Sequence, residues 1–161
     1  MTFSRIGEEN CMCCEKMPYY PKCFVCGQEN SIGLKMVFEY DKKNDIVRSK
    51  VTFTENHVGY EDIIHGGIVT TVMDEAMAWM GIKKTGLMCL TNKLNVEFKK
   101  AVKSMNEYSV EAKTEKISED KIYMSARILD GDGNECANAE GEFLIMKGRK
   151  SSMMYEKMKK H

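Results

Sequence analysis

The segment of this chain that could do chemistry is a glycine pair followed by an apolar stretch with one isolated carboxylate. His65-Gly66-Gly67 opens the segment, and Asp74 follows seven residues after Gly67. The start of a helix carries unpaired backbone N–H groups and a partial positive charge. Glycine lets another molecule approach that backbone closely. A carboxylate inside an apolar helix is costly to bury, so its presence there indicates a specific use.

This combination suits a reaction at an acyl carbonyl. A glycine N–H at the helix start would polarise the carbonyl oxygen and stabilise an oxyanion. Asp74 would attack directly or activate a water molecule. Thr91 begins the strand after the helix and could supply a hydroxyl contact, while His65 could orient a substrate or cap the turn. The alternatives are a simple tight turn before a packed helix and, for Asp74, a plain dimer or surface contact.

The spacing bears on how many copies of the chain would build such a site. At about 1.5 Å per residue, the glycines and Asp74 lie about 10 to 12 Å apart along the helix axis, too far for one small carbonyl to touch both. Two such helices running antiparallel across a two-fold axis would bring the start of one near the middle of the other. The pattern therefore favours a homodimer with shared sites. The stripe predicted to look away from the core consists of Gly67, Thr70, Thr71, Asp74, Ala78 and Gly81.

The surrounding pattern predicts an α+β fold in which a curved antiparallel sheet wraps around one long central helix. The helix is predicted over residues 66–82, because the run there is almost entirely apolar. Alternation and turn signals predict strands over 34–40, 46–53, 90–98, 108–114, 122–129 and 135–146. A hairpin turn is expected at Asp130–Asn134. The predicted divisions are a cysteine-rich N-terminal arm (1–30), the main domain (31–147) and a basic C-terminal tail (148–161).

Composition excludes several classes of protein. The formal net charge of +0 over 161 residues gives no basis for nucleic-acid binding. We expect no membrane segment, since charged residues interrupt the longest apolar run. The N-terminal residues lack the layout of a signal peptide. Seven cysteines without an export signal predict a cytoplasmic location, with free thiols or a metal site rather than disulfides.

Two terminal segments leave alternatives open. Cys11, Cys13 and Cys14 precede the pair Cys23 and Cys26, and four such thiolates could hold zinc, but their spacing matches no standard finger. Reduced thiols without metal are the favoured interpretation. The basic tail is expected to be a frayed, solvated helix. The alternative is a flap that attracts an anionic, phosphate-bearing ligand.

The motifs together resemble those of a hotdog-fold thioesterase of the PaaI-like group, in a branch with an N-terminal Cys-x-x-Cys-Gly. The resemblance covers about residues 23–146. It is carried by Cys23–Leu34, Asn56–Tyr60, His65–Gly67, Asp74–Ala76, Thr91–Phe98 and Asp130–Phe143. It implies hydrolysis of a small or medium acyl-CoA, no metal or other cofactor, and a homodimer or dimer of dimers with interface sites.

The resemblance also assigns roles to individual residues. It implies that the Gly66 amide is the oxyanion donor, with Gly67 as its neighbour at the substrate, and that Asp74 is the nucleophile or general base. Thr91 matches the family's hydroxyl residue, and His65 completes the predicted catalytic set. In one departure, Gly59 stands where better-known members carry asparagine.

The predicted substrate-binding residues besides Gly67 are Asn56, His57 and Lys93. Lys93 is one of several lysines that offer positive charge for the phosphates of CoA, although surface lysines are common without such a role. Three hypotheses follow: an acyl-CoA thioesterase, a non-catalytic hotdog protein that binds or senses acyl-CoA, and a zinc-bearing interaction protein that works through its cysteine arm.

Overall fold

The structure, a computed structural model, describes residues 13–160. The strands are β1 (Cys14–Lys16), β2 (Glu39–Asp41), β3 (Ile46–Thr52), β4 (Val58–Tyr60), β5 (Ile63–Ile64), β6 (Cys89–Phe98), β7 (Glu107–Ile117), β8 (Lys121–Leu129) and β9 (Glu135–Ile145). The helices are α1 (Gly66–Thr85) and α2 (Arg149–Met158), and Glu55–His57 forms one 3-10 turn.

Within these residues, one antiparallel sheet has the strand order β1-β2-β3-β7-β8-β9-β6, and β4 pairs with β5 in a small ribbon. Helix α1 packs across β3 and β6 to β9. The predicted fold, a curved antiparallel sheet around one long helix, is therefore confirmed. Strand β6 lies at an edge of the sheet, and two of its large apolar side chains, Leu90 and Phe98, are more than half exposed. An edge strand of this kind is available to pair with another chain.

Helix α1 is defined by its two ends and by one buried face. It begins where the side chain of His65 accepts a hydrogen bond from the Gly67 N–H. It ends where Gly86 adopts a left-handed conformation at φ 67°, which glycine tolerates without a steric penalty. The buried side chains along it include Val69, Val72, Met73, Ala76, Met77 and Met80. They pack against inward-facing residues of the sheet, among them Val47, Val110, Ile122, Ile128 and Phe143.

The first predicted strand is much shorter than expected. Residues 34–38 hydrogen-bond to the cysteine arm instead, through Leu34 N–H to the Phe24 carbonyl and Met36 N–H to the Val25 carbonyl. Lys35, between them, has a φ of 53°, a left-handed conformation that interrupts an extended strand. Regular pairing therefore begins only at Glu39.

Two expectations about exposure were wrong. The last member of the predicted outward stripe, Gly81, is buried, because β6 crosses the helix there and a Cβ at Gly81 would lie 3.0 Å from Cys89 Sγ. The C-terminal tail is not frayed over its described part. Ser151 and Met158 of α2 are each 5% exposed, and the Ser151 hydroxyl accepts a hydrogen bond from the Met88 N–H at 2.8 Å. Burial of these two positions anchors both ends of the helix.

The described part of the arm belongs to the same core as the sheet. Met17, Val25 and Cys26 are almost completely buried and cluster with residues of α1. Among the described cysteines, five are free thiols, whereas Cys13 is disulfide-bonded, so the expectation of free thiols or a metal site rather than disulfides is wrong at Cys13. Residues 1–12, which include Cys11, lie outside the described residues. No helix within residues 13–160 is long and apolar enough to cross a membrane.

Candidate active site

The start of α1 presents one backbone donor that nothing in the described chain uses. Gly67 N–H is occupied, since it donates to His65 Nδ1 at 2.9 Å. This bond requires the neutral His65 ring to carry its proton on Nε2. The Gly66 N–H has no acceptor among residues 13–160. The ring of Phe98 lies against Gly66, where an added Cβ would be 3.3 Å from Phe98 Cζ. A donor that is free at a helix start can polarise an anionic or carbonyl oxygen.

The Gly66 amide borders a shallow cavity of about 320 Å³. Lys99 and Lys100 line it, but their ammonium groups are engaged with Glu135 and Asp130. The charge near this donor is therefore largely balanced.

Asp74 lies two turns further along α1 and contacts the following strand. Its Oδ1 accepts a hydrogen bond from the Thr91 hydroxyl at 2.7 Å. The carboxylate is partly removed from solvent, and this burial raises the pKa of Asp74, while the hydrogen bond from Thr91 opposes the rise. The structure thus brings together Asp74 and Thr91, two of the predicted catalytic residues, within one chain. Their catalytic roles remain predictions.

A larger cavity of about 770 Å³ opens beside Asp74. Its walls are largely apolar and include Ala78, Trp79, Ile82 and Leu90. Helix α2 closes one side through Met154, Lys157 and Met158, and the arm contributes Tyr20, Pro21 and Cys23. The cavity has the composition that an acyl chain would require, since apolar walls surround a small number of polar groups. Helix α2 is thus a wall of this cavity, and the flap alternative, in which the tail attracts an anionic ligand, stays a prediction.

A second polar cluster, which the motifs did not indicate, borders the same cavity where α1 meets the arm. Glu75 Oε1 accepts hydrogen bonds from Trp79 Nε1 at 3.0 Å and from Cys23 Sγ at 3.4 Å. Burial raises the pKa of Glu75 to about 7, and deprotonation of the Cys23 thiol would raise it further. Cys26 donates to the Cys23 sulfur, which lowers the pKa of the Cys23 thiol to about 5, and the same interaction raises the pKa of Cys26. The sequence signal was the Cys-x-x-Cys pair, but nothing in the spacing linked it to Glu75.

The predicted substrate-binding residues do not all meet at this site. Asn56 is exposed in the 3-10 turn, and His57 Nδ1 accepts from the Thr54 N–H at 3.0 Å, so His57 caps that turn. The His57 carbonyl also accepts from the His65 N–H at 2.9 Å, which places this turn beside the start of α1. Lys93 is exposed on β6, beside a separate cavity of about 560 Å³, and forms no ion pair within residues 13–160.

Gly59 is close to the predicted catalytic histidine. A Cβ at Gly59 would lie 3.1 Å from His65 Cα and 3.2 Å from His65 Cδ2. These distances are tighter than almost all real Cβ contacts, so the asparagine of better-known family members would need His65 to shift. In this protein, His65 occupies the space that an asparagine side chain at position 59 would need.

Sequence comparison supports the family suggested by the motifs. Residues 61–137 match the sequence model of the thioesterase superfamily, a range that includes the helix start, Asp74 and Thr91. An uncharacterised protein of Schizosaccharomyces pombe is 32% identical over 97 residues, which are 56% of this chain and 55% of that protein. The chain therefore spans about half the length of this curated relative.

Solved structures with the same fold include several thioesterase-superfamily proteins. One crystal structure of a protein of that superfamily has a TM-score of 0.70 at 24% identity, covering 76% of this chain and 60% of the other. The E. coli PaaI protein from the phenylacetic acid degradation operon has a TM-score of 0.61 at 15% identity, with coverages of 65% and 75%. A Streptococcus mutans protein bound to acetyl CoA has a TM-score of 0.61 at 16% identity, with coverages of 65% and 84%.

The resemblance to PaaI-like hotdog-fold thioesterases is thereby confirmed at the level of the superfamily and the fold.

Proposed function

We propose that this protein hydrolyses the thioester of a small or medium acyl-CoA, at a site assembled from two copies of the chain. The observation that carries the proposal is Asp74, a partly desolvated carboxylate held by Thr91 at the edge of an apolar cavity of about 770 Å³. The superfamily match and the acetyl CoA bound to the Streptococcus mutans protein support the substrate class.

The dimer is part of the proposal because the donor and the carboxylate lie on one helix, about 12 Å apart. The exposed edge strand β6 supports a pairing in which two α1 helices run antiparallel. Gly66 of one copy would then face Asp74 of the other. A dimer of dimers is compatible with the same arrangement. A cytoplasmic location also belongs to this proposal: five of the six described cysteines are free thiols, which supports it, whereas the disulfide at Cys13 does not.

In the proposed reaction, the acyl carbonyl oxygen accepts a hydrogen bond from the Gly66 N–H. Asp74 takes a proton from water as the water oxygen bonds to the carbonyl carbon, and the Gly66 N–H stabilises the resulting oxyanion. Collapse of the intermediate breaks the carbon–sulfur bond, and the Asp74 carboxyl returns its proton to the departing CoA sulfur. Direct attack by Asp74 would instead form an anhydride that water then opens. A single turnover in heavy-oxygen water separates these routes, because only the anhydride route can place the label in Asp74.

The first experiment is steady-state hydrolysis of a panel of acyl-CoAs of different chain length. Turnover of at least one of them is expected. Tight binding without turnover on any chain length would favour the non-catalytic alternative, an acyl-CoA-binding or sensing protein. The specific observation on the side of that alternative is the packing of Gly59 under His65, which leaves no room for the family's asparagine.

The donor can be tested by removing a single N–H. Gly66 is the first residue of α1, a position where proline is well tolerated, and His65 has φ −56° and ψ 128°, which suit a residue before proline. Gly66→Pro is therefore expected to fold and to lower kcat by about 10²–10³-fold. Gly66→Ala is the matched control, because it adds a side chain beside Phe98 but keeps the N–H. Equal activity of the two variants would exclude this amide as the donor.

Subunit mixing tests the shared site. Gly66→Pro and Asp74→Asn proteins are each expected to be inactive, but a mixed dimer would contain one site with both residues intact. Random mixing of equal amounts would restore about a quarter of wild-type activity. No recovery after verified subunit exchange would show that each site lies within one chain.

A further inference from the structure

The Cys23–Gly27 turn holds two sulfurs on one side of the arm. Cys23 Sγ accepts a hydrogen bond from the Val25 N–H at 3.3 Å, and the Gly27 N–H donates to the Cys23 carbonyl at 3.1 Å. A Cβ at Gly27 would lie 2.3 Å from the Cys23 carbonyl oxygen, so this turn accepts only glycine there. Backbone N–H groups that point at sulfur stabilise a thiolate, which is the form that binds metal.

Helix α1 places the carboxylate of Glu75 beside these two sulfurs. One carboxylate oxygen of Glu75 and the Sγ atoms of Cys23 and Cys26 all lie within 4.8 Å of one another. Ligands of a tetrahedral zinc ion, bound at about 2.0–2.3 Å, lie roughly 3–4 Å apart. The three groups thus need only a small contraction to share one ion.

The charge and chemistry of the cluster also favour a cation. Cys26 is 1% exposed, and no Lys, Arg or His of the described chain is paired with Glu75. A half-buried carboxylate without a cationic partner is costly, and a divalent ion would supply the missing charge. Two sulfur ligands select zinc over magnesium or calcium, which bind oxygen.

A second group, Cys13, Cys14 and Asp41, does not offer the same site. Cys13 is disulfide-bonded, and the Asp41 carboxylate is already engaged by Asn44 and Arg48.

We infer that Cys23, Cys26 and Glu75 form a zinc site that joins the arm to α1. Because Cys23 and Glu75 line the cavity beside Asp74, the fourth position of the ion faces that cavity. Binding displaces the thiol protons to solvent and transfers no electrons. This zinc site is additional to the proposed thioesterase reaction, which has no step that involves a metal.

Titration of the full reduced chain with Co²⁺ tests the inference without measuring hydrolysis. The expected result is stoichiometric binding with a sulfur-to-cobalt charge-transfer band and the visible bands of a tetrahedral ion, both removed when Zn²⁺ is added. Elemental analysis of protein purified under reducing conditions should show stoichiometric zinc. Absence of metal in both measurements would overturn the site even if the protein proves to be an active thioesterase.

Variants assign the ligands. Cys23→Ser and Cys26→Ser should each remove the charge-transfer band or weaken cobalt binding strongly, and Glu75→Gln should weaken binding by more than about 10-fold. Cys14→Ser and the exposed-surface variant Glu107→Gln should bind cobalt as the wild type does. Retention of the cobalt spectrum in the Cys23→Ser/Cys26→Ser double variant would overturn the assignment. A Cys23–Cys26 disulfide found by mass spectrometry in metal-free protein under the same reducing conditions would do so as well. Should a cysteine variant fail to fold, the wild-type titration still decides the question.

Discussion

Asp74 and Glu75 are neighbours in the chain, yet α1 places them in two different environments. Successive residues of a helix are rotated by about 100°, so the two carboxylates point in different directions. Asp74 turns toward β6 and accepts from the Thr91 hydroxyl. Glu75 turns toward the arm and accepts from Trp79 and Cys23.

The two carboxylates differ in their hydrogen-bond partners and in the groups that surround them. Both carboxylates border the same cavity, but on the Asp74 side the hydrogen-bond partner is one neutral hydroxyl. On the Glu75 side, two thiols and an indole enclose a carboxylate whose pKa burial raises to about 7. The two carboxylates therefore differ in the roles proposed for them: partial burial beside one hydroxyl suits proton transfer by Asp74, and convergence with two thiols suits cation binding by Glu75.

The largest expected effect is on the Asp74 side. Asp74→Asn preserves the shape of the side chain but removes its basicity, so kcat for acyl-CoA hydrolysis should fall by about 10²–10⁴-fold. Release of the CoA thiol measures turnover, and calorimetry checks that acyl-CoA still binds. Glu107→Gln, which neutralises an exposed acid, serves as the control. If Asp74→Asn hydrolyses as fast as the wild type, a different group performs the proton transfer.

On the Glu75 side, the largest expected effect follows from the turn that carries the thiols. A Cβ at Gly27 would overlap backbone atoms of Cys23 and Pro21 at 2.3–2.6 Å, so Gly27→Ala should lower the free energy of unfolding by about 3 kcal/mol. Urea unfolding provides the measurement. Gly131→Ala is the matched control, since a Cβ there meets nothing within 4 Å. Equal stability of the two variants would show that the Cys23–Gly27 turn has room for a Cβ at position 27.

Trp79→Phe removes the indole N–H from Glu75 and keeps an aromatic ring. The buried carboxylate then loses a donor, and the free energy of unfolding should fall by about 2 kcal/mol. The control is Tyr123→Phe, an aromatic change on β8 expected within about 0.5 kcal/mol of the wild type. Urea unfolding of both proteins measures the difference, and no loss in Trp79→Phe would mean that this hydrogen bond contributes nothing to holding Glu75.

The smallest expected effect is at the donor to Asp74. Thr91→Val deletes the hydroxyl at nearly constant shape, and loss of about 1 kcal/mol corresponds to roughly fivefold lower kcat. Thr91→Ser keeps the hydroxyl and should recover most of the activity. Steady-state kinetics of both variants separates the hydrogen bond from packing. A serine variant as impaired as the valine variant would point to packing of the threonine methyl instead.

Local patterns predicted the elements well where the chain is regular. The apolar run between Gly66 and Gly86 specified a helix, since it is long, almost entirely apolar and ends at a glycine in the left-handed conformation. The hairpin at Asp130–Asn134 formed as expected, with the Asp130 side chain accepting from the Asn134 N–H at 2.9 Å. The strand predicted over 34–40 is shorter in the structure, because residues 34–38 hydrogen-bond to the arm. Strand propensity does not indicate which segment supplies the hydrogen-bond partners.

The candidate site was predictable in part. The sequence motif pointed to Asp74, and the structure brings it to Thr91, 17 residues away. The contact of Glu75 with Cys23 was not predictable, because the two residues lie 52 positions apart in the chain. No local spacing rule relates two positions so far apart.

By itself, the sequence determined the helix, the alternation of the later strands and the chemical types present near the helix start. These depend on interactions between residues close in the chain, whose periodicity is visible in the sequence. Tertiary structure alone decided which way each carboxylate faces and that two arm thiols meet Glu75. It also decided that the Gly67 N–H donates to His65 while the Gly66 N–H has no acceptor among residues 13–160. Those outcomes depend on how distant segments fill the same core, and close packing selects one arrangement that local pattern does not specify.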